Sequence, residues 1–142
     1  RKLDAIIDAG ADIITIHQES TTRLYSCIEK IKSRGVKAGV VLSPATNEDT
    51  LKYVLDKIDM ILLMTINPGE AGPGFHEELL TKIKNVRELI GDRDIDLEVD
   101  GGIDNTNIAK CKEAGVNVFV SGGYVFKGDI AEKIKTLREA LK

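Results

Sequence analysis

The sequence predicts an α/β fold in which parallel strands alternate with helices, and three observations carry that prediction. Short runs rich in Val, Ile, Leu or Thr recur along the chain, each bounded by Gly, Pro, Asn or Asp. Amphipathic helical patterns fill the stretches between them. The junction "DAGADIITI" near the start returns as "EAGVNVFVS" near the end, a helix closing on Ala-Gly and a strand beginning within three residues. Strand starts fall roughly 20 to 25 residues apart, except across one longer gap that holds a Gly-rich loop. That period suits (β/α) units of a barrel or of an open doubly wound sheet, and the pattern alone does not separate the two.

Taken in order, "RKLDAIIDAG" reads as the last turns of a helix with Gly10 as its C-terminal stop, so the chain looks cut at its start. The first strand is "DIITIH", Asp12–His17. A crossover helix follows from about Thr21 to Arg34 and stops at Gly35. "VKAGVVL", Val36–Leu42, is the second strand, and "TNED" at Thr46 offers an N-cap and an acidic first turn for the next helix. "DMILLMTI", Asp59–Ile66, is the third strand. The helix "HEELLTKIKNVRELIG" places Leu79, Ile83, Val86 and Ile90 on one stripe and ends at Gly91. "DLEV", Asp96–Val99, a helix over about Asn105–Glu113, "NVFVSG", Asn117–Gly122, and a helix from Asp129 to Leu141 complete the chain.

The 142 residues are enough for one domain with its own core, and nothing suggests a second. Apolar residues make up 42% and charged residues 30%, as in an ordinary globular protein, and the net charge is -3. Lys and Arg are scattered along helices and are not interleaved with aromatics, so nucleic acid is not an expected partner. No apolar run approaches the ~20 residues of a membrane span, and a signal-peptide pattern is missing. Cys27 and Cys111 lie in helical patterns without CxxC spacing and read as reduced core thiols of a cytoplasmic protein.

Ligands of such folds sit at the C-terminal ends of the strands. Those ends read "HQES", "SPAT", "NPGEAGPG", "DGG" and "SGG". Three Gly-rich ends in succession let backbone N–H groups approach an anion, which points to a phosphate site, although glycine also simply ends strands. Alternation along "LEVD" sets Glu98 and Asp100 on one side and Leu97 and Val99 on the other. The apolar pair must face helices, so two carboxylates face inward, where an acid is costly unless paired, metal-bound or neutralised. Asp100 is therefore a catalytic candidate, with capping of the turn before Asn105 as the plainer alternative. The same alternation places Thr15, His17 and Glu19 on one face of the first strand. His76 opens a helix and reads as solvated or as a cap. Glu70 and Pro73, inside the Gly-rich loop, lack the surroundings of a general base.

Taken together, "AGADIITIHQES", "KAGVVLSPAT", "YVLDKIDMILLMTINPG", "LEVDGGI" and "AGVNVFVSGGYVFK" resemble the ribulose-phosphate 3-epimerase family, including relatives acting on allulose 6-phosphate. The resemblance spans nearly the whole chain, in order. It implies a (β/α)8 TIM barrel of which these residues form roughly the last five βα units, the first three strands being absent. It also implies metal-dependent 3-epimerisation of a ketose phosphate, ribulose 5-phosphate with xylulose 5-phosphate or allulose 6-phosphate with fructose 6-phosphate. Asp100 would be both a catalytic acid/base and a ligand of one divalent ion, whether zinc, iron, manganese or cobalt. Gly69, Glu70, Ala71, Gly72, Gly101, Gly102, Gly122 and Gly123 would bind the phosphate, and Met64 would pack near the reacting carbons. A second aspartate, two metal-binding histidines and a substrate-binding serine belong to the strands this sequence does not contain. The usual loop "NPGFGGQ" is here "NPGEAGP", "NPAT" is "SPAT", and a Gly-Ser phosphate pair is Gly122-Gly123. The family also implies a homo-oligomer acting on a small sugar phosphate, with no nucleic acid and no membrane. Two rival readings remain at this stage: another phosphate-binding barrel enzyme such as a synthase or decarboxylase, or a half-barrel that binds phosphate or self-associates without turnover.

Overall fold

The computed structural model describes residues 2–66 and 75–142. Five strands, β1 (Ile13–His17), β2 (Lys37–Leu42), β3 (Met60–Met64), β4 (Asp96–Asp100) and β5 (Val118–Val120), form one sheet in the order β1-β2-β3-β4-β5. Every neighbouring pair is parallel. This sequential order decides the question that the repeat left open. A doubly wound sheet reverses its strand order at a switch point, whereas a barrel adds each strand beside the last with its helix always on the outside. The arrangement is that of a half-barrel.

Helices α1 (Lys2–Asp8), α2 (Leu24–Ser33), α3 (Leu79–Ile90), α4 (Ile108–Ala114) and α5 (Ile130–Ala140) provide the outer layer. The core lies between the two layers. From the sheet it receives Ile14, Ala38, Val40, Leu42, Ile61, Leu63, Leu97 and Val99, and from the helices Ile28, Ile31, Ile83, Val86, Ile90, Ile108 and Cys111. The strand contributions are alternate residues, as the two-residue period of a pleated strand requires. Their neighbours therefore face the concave side, where the register aligns His17, Val41, Leu62, Glu98 and Val118 in one row and Met64, Asp100 and Val120 in the next.

Most elements expected from the sequence are present, usually shorter. The crossover helix starts at Leu24 because Thr21 Oγ1 first accepts the Arg23 N–H in a local turn (3.0 Å). Asp104 delays α4 in the same way by accepting from the N–H (2.8 Å) and hydroxyl (2.6 Å) of Thr106. A larger difference lies after β2. The continuous helix expected from Thr46 is replaced by two short 3-10 turns, Glu48–Leu51 and Leu55–Lys57. Asn47, not Thr46, caps the first by accepting from Asp49 N–H (2.8 Å). Leu51, Val54, Leu55 and Ile58 are all buried from this short connection, and the tighter turns let each reach the core where a regular helix would carry one or two away. The cysteines divide: Cys111 is buried, and burial pushes its thiol up to about 11, whereas Cys27 is only half-buried and is not a core residue.

At the strand-start end, Asp59 ties the layers together. One of its carboxylate oxygens accepts from Lys32 Nζ (2.7 Å) on α2 and from the Ala38 N–H (2.9 Å) of β2. Burial acts to raise its pKa, but these two donors outweigh it and hold the carboxyl below its usual value. Asp59→Asn is expected to destabilise the protein by about 1 kcal/mol at neutral pH. Because the native pKa is depressed, that contribution exists above the unfolded carboxylate range and disappears as pH falls through the native pKa. Denaturant titrations of wild type and variant at pH 7 and at acidic pH should therefore converge; a gap independent of pH contradicts the assignment.

Candidate active site

Asp100 is the last residue of β4 and faces the concave side, with Met64 directly beside it in the β3 register. Leu97 and Val99 are fully buried against the helices, which fixes the orientation of the acidic pair between them. Glu98 lies one row below. Burial raises the pKa of Asp100. Burial also raises that of Glu98, followed by the nearby charges of Asp100 and Asp96. Two carboxylates are thus held on one partly desolvated surface where each favours a proton or a cation. A single carboxylate matches one ligand of a divalent ion. Among the described residues no group of three His, Cys, Asp or Glu side chains converges to hold one.

Beyond Asp100 the backbone turns sharply. Gly101 and Gly102 have φ of +133° and +68°, in the region that side chains other than glycine's avoid. Both are also closely packed. A Cβ on Gly101 would lie 2.7 Å from Ile66 N, and one on Gly102 would lie 2.8 Å from Phe75 N. The two residues flanking the Gly-rich loop after β3 therefore both rest on this glycine pair. Gly122 and Gly123 follow β5 and are different: a Cβ at either would meet nothing within 4 Å, and neither has a positive φ. Gly69, Glu70, Ala71 and Gly72, also expected at the phosphate, lie outside the described residues.

His17 is not brought to Asp100. It ends β1, three strands away from β4, which at about 4.8 Å per strand is roughly 14 Å. Glu19 lies beyond the strand end, in the 3-10 turn Gln18–Ser20, yet its carboxylate remains 3.9 Å from His17 Nδ1. That turn swings the Glu19 carboxylate onto the loop after β2. There it accepts from Ser43 N–H (3.1 Å), Ser43 Oγ (3.3 Å) and the Thr46 hydroxyl. Burial acts to raise the Glu19 pKa, and these donors together bring it below the ordinary carboxylate value. His76 is solvated, 3.7 Å from Glu78, as expected.

The same loop is gripped from the other side by a residue that sequence reasoning passed over. Lys82, on α3, is 8% exposed and donates from Nζ to the carbonyls of Ser43 (2.9 Å) and Pro44 (3.1 Å). Burial lowers its pKa, with Glu48 and Glu19 pulling it back up. The signal was available: Lys82 stands three residues after Leu79 and four before Val86, on the apolar stripe itself. Lys82→Met keeps the aliphatic stem and removes the charge. We expect it to cost about 1–2 kcal/mol and to speed amide exchange at Ser43–Thr46 while the core strands stay protected. Unchanged exchange in that loop would refute the clamp.

Comparison with known proteins extends these observations. A sequence model of the ribulose-phosphate 3 epimerase family matches residues 1–126. The chain belongs to that family. The chloroplastic ribulose-5-phosphate-3-epimerase of Arabidopsis thaliana is 41% identical over 97% of this chain and 51% of its own length. Ribulose-phosphate 3-epimerase of Serratia marcescens is 48% identical over 83% of this chain and 57% of its own, and that of Escherichia coli K12 43% identical over 94% and 60%. This chain thus spans between half and two thirds of these epimerases. Among solved structures, a 3-hexulose-6-phosphate synthase superposes with a TM-score of 0.75 at 25% identity, over 99% of this chain and 67% of the other. A 3-keto-L-gulonate-6-phosphate decarboxylase from Vibrio cholerae gives the same TM-score at 19% identity, over 99% and 65%, and shows the fold alone. These neighbours are TIM-barrel enzymes, which agrees with the strand order. Among the described residues no helix is long and apolar enough to cross a membrane.

Proposed function

We propose that the polypeptide containing these residues interconverts ribulose 5-phosphate and xylulose 5-phosphate, with allulose 6-phosphate and fructose 6-phosphate as the second pair to be tested. The observation that carries the proposal is the concave Asp100, beside Met64 and immediately before the Gly101–Gly102 turn, in a chain of the epimerase family.

Epimerisation at C3 takes a proton from the carbon next to a ketone and returns one to the opposite face. It needs two acid/base groups, one on each side of a flat enediolate. Asp100 serves as one of them. Its raised pKa makes it a stronger base than an exposed carboxylate and keeps the proton available for return. Met64 presents an uncharged, polarisable wall beside it, which confines the planar intermediate without competing for its protons. A divalent cation, with Asp100 as one of its ligands, would supply positive charge to the enediolate oxygens. The Gly101–Gly102 turn and the open Gly122–Gly123 end offer backbone to the phosphate, fixing the sugar so that C3 lies over Asp100. The second acid/base group and the remaining metal ligands belong outside these 142 residues, and we take the active form to be a homo-oligomer.

The decisive assay uses the full natural polypeptide. Proton exchange from solvent into C3 of ribulose 5-phosphate, followed by NMR in deuterated water, reports the chemistry directly. Exchange with appearance of xylulose 5-phosphate supports the proposal. Aldol cleavage or decarboxylation in its place would move the chain to the chemistry named for its structural neighbours.

A further inference from the structure

The turn after β4 is fastened through its carbonyls, one after another. The Asp100 carbonyl accepts from Thr65 N–H (2.9 Å), and the Gly101 carbonyl accepts from the Thr65 hydroxyl. The Gly102 carbonyl accepts from Asn107 Nδ2 (2.8 Å), and the Ile103 carbonyl from Ser121 Oγ (2.8 Å). Four successive carbonyls are thus held, the first by a backbone N–H and the other three by side chains from three different segments. Thr65 is fully buried and Asn107 nearly so. Asn107 also accepts the Asp104 N–H (3.0 Å), closing the turn on its far side.

A trans peptide directs its C=O and the next N–H in opposite directions, and no peptide here is cis. The Thr65 side chain is fully buried, and the Gly101 carbonyl is turned toward its hydroxyl. The Gly102 N–H at the other end of that peptide is consequently directed away from the buried Thr65 hydroxyl. By the same reasoning the Ile103 N–H is directed away from Asn107. Left-handed φ values at Gly101 and Gly102 permit both peptides to be turned this way in succession.

We propose that Thr65, Asn107 and Ser121 are positioning residues that orient the Gly101–Gly102–Ile103 peptides so that their N–H groups meet a phosphate monoester. None of the three needs to touch the phosphate. The inference rests on the sugar-phosphate reading above, and goes beyond it by assigning the polarity of the turn to specific side chains. Without the Thr65 hydroxyl, the first peptide is free to rotate and present its carbonyl, which repels the anion.

The test uses the full natural polypeptide with inorganic phosphate and ribulose 5-phosphate as probes. Thr65→Val should weaken inhibition by inorganic phosphate about tenfold and raise KM for ribulose 5-phosphate by a similar factor, leaving kcat within about threefold. Thr65→Ser, which restores the hydroxyl, should recover both. Ser121→Ala, at a partly exposed position that tolerates truncation, should show the same split at smaller size. A kcat loss as large as the KM increase, or valine and serine variants that behave alike, overturns the assignment. So does a folded Thr65→Val protein that binds phosphate as the wild type does. If the wild type itself neither binds phosphate nor turns over ribulose 5-phosphate, the sugar-phosphate reading fails first, and this inference with it.

Discussion

Asp100→Asn is expected to lower kcat for epimerisation by about 10²–10⁴-fold in the full natural polypeptide, the range lost with a positioned acid/base group. The asparagine amide has nearly the same shape but can neither take nor return the C3 proton. Loss of activity alone would be ambiguous, since an unfolded protein is also inactive. The electrostatics supply a second signature. Burial raises the native pKa of Asp100, and the charge of Asp100 is one of the influences raising Glu98. A native carboxyl with a raised pKa binds its proton more tightly than the unfolded chain does, so stability falls as pH rises through the unfolded and then the native pKa. At pH 7, with a chelator present, the ionised Asp100 therefore works against folding. The neutral asparagine should melt slightly higher, by about 2 °C for a screened contribution near 0.5 kcal/mol. Below the carboxylate range the two proteins should melt together. An inactive variant that is also less stable at pH 7 would place Asp100 in the scaffold, as a cap of the turn, and remove it from the chemistry.

The features that were legible in the sequence are those that depend on one strand at a time. Alternation in "LEVD" identified the inward face of Asp100 because a pleated strand has only two faces, and the burial of Leu97 and Val99 agrees. The barrel sense of the sheet was not legible from the residues. It depends on which strand pairs with which, and βα repeats of one length serve either order. Lys82, Asn107 and Thr65 were missed for a related reason. Their partners are carbonyls on other elements, and a carbonyl leaves no mark in a sequence. Alternation set Glu19 beside His17, and the two side chains are 3.9 Å apart, but its hydrogen bonds to the loop after β2 come from a 3-10 turn that alternation does not describe. The helix expected at Thr46 failed where Asn47 formed its own turn and four apolar residues competed for the same short path into the core.

The two glycine pairs at the strand ends look interchangeable in the sequence, yet substitution should separate them sharply. Gly101→Ala places a methyl group 2.7 Å from Ile66 N and Cγ1 and 3.0 Å from Thr65 Oγ1, at a φ of +133°. The nearest obstacles include backbone of the neighbouring strand end and a fully buried side chain, so the site cannot relax by rotating a surface group. Backbone strain of about 1–3 kcal/mol and overpacking of a similar size together suggest a loss of about 3–5 kcal/mol. That is a large share of the 5–15 kcal/mol typical of a folded domain. Gly122→Ala has open space around the new methyl group and an ordinary φ, so its stability should change by less than about 0.5 kcal/mol. Urea unfolding of the two variants beside wild type measures the contrast. Equal midpoints would mean that the turn after β4 is not held as tightly as its four fastened carbonyls indicate. If the contrast appears, a Gly122→Ala protein that folds normally but binds phosphate weakly assigns the second pair to the ligand, whereas the first pair is required by the fold before any ligand arrives.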